Sequence, residues 1–236
     1  MEKSNLVEIK KGEVGTGLLI EHDGYISSDC GENKKLFEDI RAKEDENDFH
    51  CPYPFIVSAV FQKYGIENAN GRIYPEAILK REVEKYQNLI KERSAIGELN
   101  HPSDSTIDLS RVALNIIELH WEGSTLVGKL EILVSEAYRK HGIICCQADQ
   151  AAHLLLNNIK IGVSSRGLGT VTNKMGVLYV SDDYEIVCWD LVSSPSTPGA
   201  YVAFDSKDLT QYVESVDSGN DVLFEKLNCY KDWLND

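Results

Sequence analysis

The chain has 236 residues, of which 42% are hydrophobic and 26% are charged, as in an ordinary globular protein with one large domain and a substantial core. Its formal net charge of −14 repels phosphate backbones, which argues against a nucleic-acid partner. The sequence has no run of about 20 apolar residues, so we expect no membrane partner. It has no secretory signal at its start, so we expect the protein to be made in the cytoplasm and to remain there.

The first 50 residues are expected to form an extension or a sheet edge, part of it mobile. Two short apolar runs there, residues 6–10 and 18–20, predict strands. Residues 31–50 are dense in charge and predict an exposed helix or a loop. We expect residues 51–205 to form the main domain and the acidic residues 206–236 to form a tail.

The main domain begins with a β-branched run, residues 55–61, that predicts a strand. After an Asn-rich turn, Pro75 suits the first position of a helix that reaches about Glu92. Apolar residues recur in this helix at steps of three and four, which predicts one face packed on the core. These residues are Leu79, Val83, Tyr86 and Ile90.

The second half of the main domain alternates between strand and helix signals. Residues 112–119 and 126–133 predict a hairpin, and residues 137–157 predict a helix interrupted at Gly142. Further strands are expected at residues 159–165, 169–172, 177–180 and 186–192. Many short strands with two sizeable helices indicate an α+β fold, a mainly antiparallel barrel or sandwich with helices outside it.

Six cysteines are spread along the chain without a CxxC pair, so we expect reduced thiols and no structural zinc site. Cys145 and Cys146 follow His141 closely, and a cysteine peptidase using one of them is an alternative hypothesis. No other motif supports it, and neighbouring buried cysteines on a helix are the commoner arrangement.

Two hydroxyl groups, Ser164 and Ser165, lie at the end of the strand predicted at residues 159–165. A serine held rigidly beside glycines at a strand end is suited to act as a nucleophile. Because successive strand residues point to opposite faces, only one of the two can face a given histidine.

His101 and Asp190 are candidate partners for such a serine. Asp190 lies in a predicted core strand, where a carboxylate is costly to bury unless it is paired. An imidazole would provide that pairing, and so would a structural salt bridge with Arg166 or Arg111. The residue types permit a Ser/His/Asp triad, which is defined by a geometry that a sequence does not display.

Four segments resemble, in this order, motifs of the prohead core proteases of T-even phages, a group distantly similar to herpesvirus assemblin. They are NANGRIYP at residues 68–75, GELNHP at 97–102, GVSSRGLG at 162–169 and WDLVSSPSTPGAYV at 189–202. The resemblance implies an assemblin-like antiparallel β-barrel surrounded by helices. It also implies that His101 is the catalytic base and Asp190 the acid that orients it. The family's Ser-x-Gly pattern selects Ser165 as the nucleophile and leaves Ser164 as the alternative.

The same resemblance implies a serine endopeptidase that cleaves scaffold and capsid proteins, and itself, after glutamate. It would act inside the phage prohead in the host cytoplasm, as a homo-oligomer and without a metal or organic cofactor. Arg166 is expected to stabilise the oxyanion or to attract the acidic substrate residue, and Arg111 and Arg72 are the next candidates for binding that residue. Backbone N–H groups near Arg166 and Gly167, or in residues 196–199, would stabilise the oxyanion. The alternative from another class is a non-enzymatic capsid-assembly barrel whose protease site has decayed.

Overall fold

The computed structural model describes residues 15–20, 49 and 51–203. This part of the chain forms two five-stranded sheets and three α-helices. The strands are β1 Gly15–Ile20, β2 Phe55–Lys63, β3 Arg72–Ile73, β4 Ile96–Glu98, β5 Val112–Glu122, β6 Thr125–Ile132, β7 Gly162–Lys174, β8 Val177–Val180, β9 Glu185–Val192 and β10 Val202–Ala203. The helices are α1 Glu76–Lys91, α2 Glu136–His141 and α3 Gln147–Leu156, and a 3-10 turn spans Leu109–Arg111.

The first sheet is built around the long strand β7. Strand β1 pairs with it antiparallel along one edge, from Arg166 to Val171. Strands β9 and β8 follow one another along the other edge, and the short β3 lies parallel to β8. The middle of β7 is therefore covered on both edges by its own chain.

The second sheet has the order β10-β2-β6-β5-β4 and is antiparallel throughout. Its centre is the hairpin of β5 and β6, which turns at Gly123 with a φ of 58°, a backbone conformation that glycine adopts without steric cost.

Two isolated bridges connect the sheets. Leu99, directly after β4, pairs parallel with Leu191 of β9, and Gly162 at the start of β7 pairs with Tyr201 next to β10. Within the described residues these contacts join two sheets but do not make one continuous barrel, so the expected closed barrel is not confirmed. What holds is a mixed α+β fold of antiparallel sheets with few helices.

The main core lies between the sheets and the helices, with Trp189 of β9 near its centre. Its indole ring meets the ring of Tyr86 from α1 edge-on, at 4.8 Å between centroids, and that of Phe61 at 5.7 Å. Leu79, Val83 and Tyr86 are buried as the helical spacing predicts, and Pro75 precedes the first turn of α1. The site described below is therefore fixed to a strand that is anchored in the core.

Most of the predicted elements are found, with small shifts in their bounds. The helix predicted at residues 137–157 is interrupted at Gly142, whose φ of 67° ends α2. The strands predicted separately at residues 159–165 and 169–172 form the single strand β7. The predictions for residues 6–10 and 206–236, and for residues 31–50 apart from residue 49, lie outside the described residues, and the domain bounds at 51 and 205 stay predictions. Among the helices that the structure describes, none has the length and apolar character needed to cross a membrane.

Candidate active site

The close approach of β4 to β9 positions the segment that carries His101. The Glu98 amide donates to Asp190 Oδ1 at 2.8 Å, and the Asn100 amide donates to the Leu191 carbonyl at 2.7 Å. Asn100 takes a left-handed conformation, with a φ of 67°, and His101 follows it directly. The GELNHP segment thus runs beside the strand that bears Asp190, and this places the imidazole of His101 next to Asp190.

His101 and Asp190 are in direct contact. The distance from Nδ1 to Oδ2 is 2.7 Å, and the two side chains are 2% and 0% exposed. An ionised carboxylate only accepts hydrogen bonds, so Nδ1 carries the hydrogen. In the neutral imidazole Nε2 is then the atom that can accept a proton, which is the tautomer that a general base requires.

Asp190 stays ionised although it is fully buried. Burial by itself raises the pKa of its carboxyl group, but the hydrogen bond from His101, the charge of Arg166 and the Glu98 amide outweigh burial, and the pKa is lowered. Arg166 Nε donates to Oδ2 at 3.0 Å, and the Cys188 thiol lies 3.3 Å from Oδ1. The hydrogen bonds from His101 and Arg166 together thus offset the free-energy cost of burying this carboxylate.

The strand register separates the two serines. In the β7–β9 ladder Ser164 lies opposite Asp190, and Ser165 lies opposite Trp189. Directly opposed residues of antiparallel strands share one face of the sheet, so Ser164 shares the face of Asp190, whereas Ser165 shares the face of the core residue Trp189. Both serines are 3% exposed. The choice of Ser165 ahead of Ser164 therefore disagrees with the register, because the Ser-x-Gly pattern does not specify a face.

Arg166 is a structural cation. Its side chain is fully buried and bonds Asp190, Glu98 and the carbonyl of Asp104, at 3.0, 3.0 and 2.7 Å. The expectation that it contacts the substrate or the oxyanion disagrees with this position, because its guanidinium is directed into the protein. By bonding the Asp104 carbonyl it also fastens the segment that contains His101.

Glu98 is a site residue that was not singled out from the sequence. Its carboxylate is 0% exposed and accepts from Arg166, from Arg111 Nε at 3.0 Å and from the Asp108 amide at 2.9 Å. Glu98 therefore ties β7 to both ends of the His101 segment. Its place three residues before His101 within GELNHP was the available signal.

Gly167 and the 196–199 segment are the two places where the sequence predicted backbone N–H groups for the oxyanion. A Cβ at Gly167 would lie 2.5 Å from the Tyr184 ring, so this glycine permits close packing. The chain after residue 199 lies against the start of β7, because the Val163 amide donates to the Ala200 carbonyl at 2.8 Å. The 196–199 segment is thus near Ser164 in the fold, and its role as an oxyanion donor stays a prediction.

Two of the cysteines that the structure describes, Cys146 and Cys188, lack the lowered pKa of a catalytic thiol. Burial is the largest effect on the pKa of Cys146, which is raised, and this disfavours its thiolate. Burial likewise raises the pKa of Cys188 well above its usual value. In the part of the chain that the structure describes, no three His, Cys, Asp or Glu side chains are grouped so that they could hold a metal ion.

Comparisons with known proteins agree with this fold. Residues 18–213 match the family model described as "Prohead core protein serine protease". The prohead core protein protease of Enterobacteria phage T4 is 30% identical over 168 residues, which cover 70% of this chain and 76% of that protein. The solved structure of the bacteriophage T4 capsid assembly protease is similar with a TM-score of 0.56 at 22% identity, and the match covers 75% of this chain and 98% of that one. At that identity the structural match supports the fold.

Proposed function

Since the chain belongs to the prohead core protein serine protease family, we propose that it is a serine endopeptidase in which Ser164 is the nucleophile, His101 the base and Asp190 the orienting acid. The observation that carries the proposal is the 2.7 Å contact between His101 Nδ1 and Asp190 Oδ2, on the sheet face that Ser164 shares. Under the non-enzymatic alternative the protein would cleave neither the scaffold protein nor itself.

In the proposed reaction Ser164 Oγ attacks the carbonyl carbon of the scissile bond while His101 Nε2 takes the hydroxyl proton. Asp190 stabilises the resulting imidazolium and keeps its orientation. The imidazolium then gives the proton to the leaving amine as the C–N bond breaks, which leaves an acyl-enzyme. Water, deprotonated by His101, hydrolyses the ester and regenerates Ser164.

The proposed substrates are the scaffold and capsid proteins of the phage prohead, and the protease itself, cut after glutamate. The protein would be made in the host cytoplasm and act within the assembling prohead, and the names of the T4 relatives, a prohead core protein protease and a capsid assembly protease, support this setting. The homo-oligomer and the absence of nucleic-acid and membrane partners stay predictions.

The test uses Ser164→Ala and Ser165→Ala as a matched pair of variants. Each is incubated with a candidate scaffold protein of the same phage, and the new termini are identified by mass spectrometry. We expect Ser164→Ala to produce no cleavage, because the nucleophile is removed, and Ser165→Ala to retain most of the wild-type rate. An active Ser164→Ala with an inactive Ser165→Ala would contradict the assignment, and cuts after basic or aromatic residues would contradict the glutamate preference.

A further inference from the structure

Asp190 shares one carboxylate oxygen between two donors. Its Oδ2 accepts from His101 Nδ1 at 2.7 Å and from Arg166 Nε at 3.0 Å. The guanidinium is 0% exposed, so solvent screens its positive charge little. An acid paired with a buried arginine presents less negative charge to the imidazole than a lone carboxylate does. The acid of a triad must nevertheless stabilise the imidazolium that forms during the reaction.

Glu98 lies on the other side of the same guanidinium. Its Oε1 accepts from Arg166 Nη2 at 3.0 Å, and both side chains are 0% exposed. The Glu98 amide donates to Asp190 Oδ1 at 2.8 Å, so this residue bonds the cation with its side chain and the acid with its backbone. Two carboxylates and one guanidinium give the buried cluster of Glu98, Arg166 and Asp190 a formal charge of −1.

The neighbouring titratable groups leave most of that charge in place. Burial raises the pKa of Cys188 and of Tyr86 well above their usual values, so the thiol and the phenol stay neutral. Arg111 Nε bonds Glu98 Oε2 at 3.0 Å, but its side chain is 38% exposed and solvent screens its charge. The carboxylates of Asp104 and Asp108, in the loop after His101, belong to exposed residues and are screened in the same way.

We propose that Glu98 is a positioning residue that acts through Arg166 and gives the buried cluster the net negative charge that stabilises the His101 imidazolium. The inference rests on the proposed function and deepens it by adding a second carboxylate on which the base depends. Without the charge of Glu98, Asp190 and Arg166 would form a neutral pair facing the imidazole. Proton transfer from the serine to His101 would then be less favourable.

The experiment compares Glu98→Gln, which removes the charge at nearly constant size, with Glu98→Asp, which keeps it. Protonation of the His101 ring is followed by NMR across a pH series in a Ser164→Ala background, which prevents turnover. The pH profile of kcat/KM is measured with Ser164 intact, on the scaffold protein. A double variant, Glu98→Gln with Arg166→Gln, removes one charge of each sign and leaves the cluster at −1.

Glu82→Gln is the matched control. Glu82 is also a buried carboxylate, 4% exposed, and it bonds Arg81 at 2.9 Å and Lys85 at 2.8 Å. It also accepts from the Ile186 amide of β9 at 3.3 Å, but it is carried by α1 instead of the His101 segment. The control therefore removes the same kind of charge from the same strand without changing the cluster.

We expect Glu98→Gln to move the midpoint of the His101 titration, and the acid limb of the kcat/KM profile, about one pH unit lower. This is the effect of losing one charge several ångströms away at an effective dielectric constant of about 20. The limiting kcat should fall roughly tenfold, because one pH unit corresponds to a tenfold change. Glu98→Asp and Glu82→Gln should keep the wild-type midpoint, and the double variant should titrate at or above it.

A folded Glu98→Gln protein that titrates as the wild type does would overturn the inference, and so would an equal shift in Glu82→Gln. If Glu98→Gln does not fold, the double variant decides, because it leaves no buried charge without its partner. A double variant that titrates about one unit below the wild type would show that the charge balance is irrelevant. The NMR titration needs no turnover, so a wild type that cleaves nothing refutes the proposed function while the effect of Glu98 on His101 is still measured.

Discussion

Asp190 is the residue on which the charges of the site converge. His101 and Arg166 both bond its Oδ2, and the Glu98 amide bonds its Oδ1. A buried carboxylate is stable only when such partners replace its water. Asp190 therefore has two roles, holding the imidazole in one tautomer and balancing the buried guanidinium.

We expect Asp190→Asn to lower kcat on the order of 10⁴-fold, because the amide no longer fixes the tautomer of His101. It should also destabilise the fold by about 3–5 kcal/mol, since Arg166 loses a buried partner. Steady-state kinetics and urea unfolding measure the two effects separately. His101→Gln is the control: it should abolish turnover at a much smaller cost in stability, and a triad role for Asp190 would be contradicted if Asp190→Asn kept wild-type kcat.

The site residues differ in how far the sequence could identify them. His101 and Asp190 stand in motifs of their own, which made them candidates, and the structure brings the two side chains into contact. Ser164 and Ser165 are adjacent, and a shift of one residue in register exchanges their faces, so pattern alone could not decide between them. The direction of the Arg166 side chain was also undetermined, because it depends on Glu98 and Asp104, residues distant in the chain.

At the scale of elements, the contact between β4 and β9 brings the site together. A Cβ at Gly97 would collide with the carbonyl oxygen of Trp189, so glycine is what lets the two backbones approach. This approach allows the Glu98 and Asn100 amides to bond β9. The glycine of the GELNHP segment is thus a requirement of the packing that places His101.

Gly97→Ala should displace β4 from β9, because the collision is with backbone and no side chain can move aside. We expect a loss of stability of about 1–3 kcal/mol, as for other overpacked sites, together with lower kcat. Thermal unfolding and peptide cleavage measure these effects. Glu84→Ala, at an exposed position of α1, is the control and should change stability by less than about 0.5 kcal/mol. A Gly97→Ala protein as stable and active as the control would refute this role of Gly97.

Elements with a strong local pattern were predicted well, as the α1 helix and the β5–β6 hairpin illustrate. The sequence analysis predicted two strands in place of the single strand β7, because Gly167 and Gly169 indicated an interruption. In the structure both glycines pack closely against Tyr184, a contact between distant residues that leaves the strand continuous.

Considered as a whole, the molecule contains buried carboxylates in several elements that must stay ionised. Burial raises the pKa of Glu82, Asp149 and Asp190, but hydrogen bonds outweigh it at all three, helped by nearby cations at Glu82 and Asp190, and all three pKa values are lowered. A carboxyl group whose pKa is lowered in the folded state stabilises the fold at pH values above its pKa in the unfolded state, which is about 3.9 for Asp and 4.3 for Glu. That contribution is lost as the pH falls through the folded value.

The free energy of unfolding should therefore fall steeply below about pH 4. The difference in free energy of unfolding between wild type and Asp190→Asn should be largest near neutral pH. It should shrink as acid protonates Asp190, since a protonated carboxyl resembles the amide. Urea unfolding at a series of pH values measures it. The control Asp182→Asn removes a 91% exposed carboxylate and should give a small difference at every pH. If the difference in free energy of unfolding between wild type and Asp190→Asn stayed constant down to acid pH, it would contradict the claim that Asp190 is ionised in the folded protein.

The long-range arrangement was the part that the sequence predicted least. His101 and Asp190 are 89 residues apart, and their contact depends on how two sheets meet. Antiparallel pairing and the α+β class follow from local patterns, whereas the bridges at Leu99 and Tyr201 that join the sheets depend on the packing of the whole domain.

The most direct test of the central claim, that Ser164 is the nucleophile activated by His101, is labelling with a fluorophosphonate followed by peptide mapping. The adduct should be found on Ser164, and labelling should be lost in His101→Gln although that protein remains folded. An adduct on Ser165, Cys145 or Cys146, or undiminished labelling of Ser164 in His101→Gln, would contradict the account.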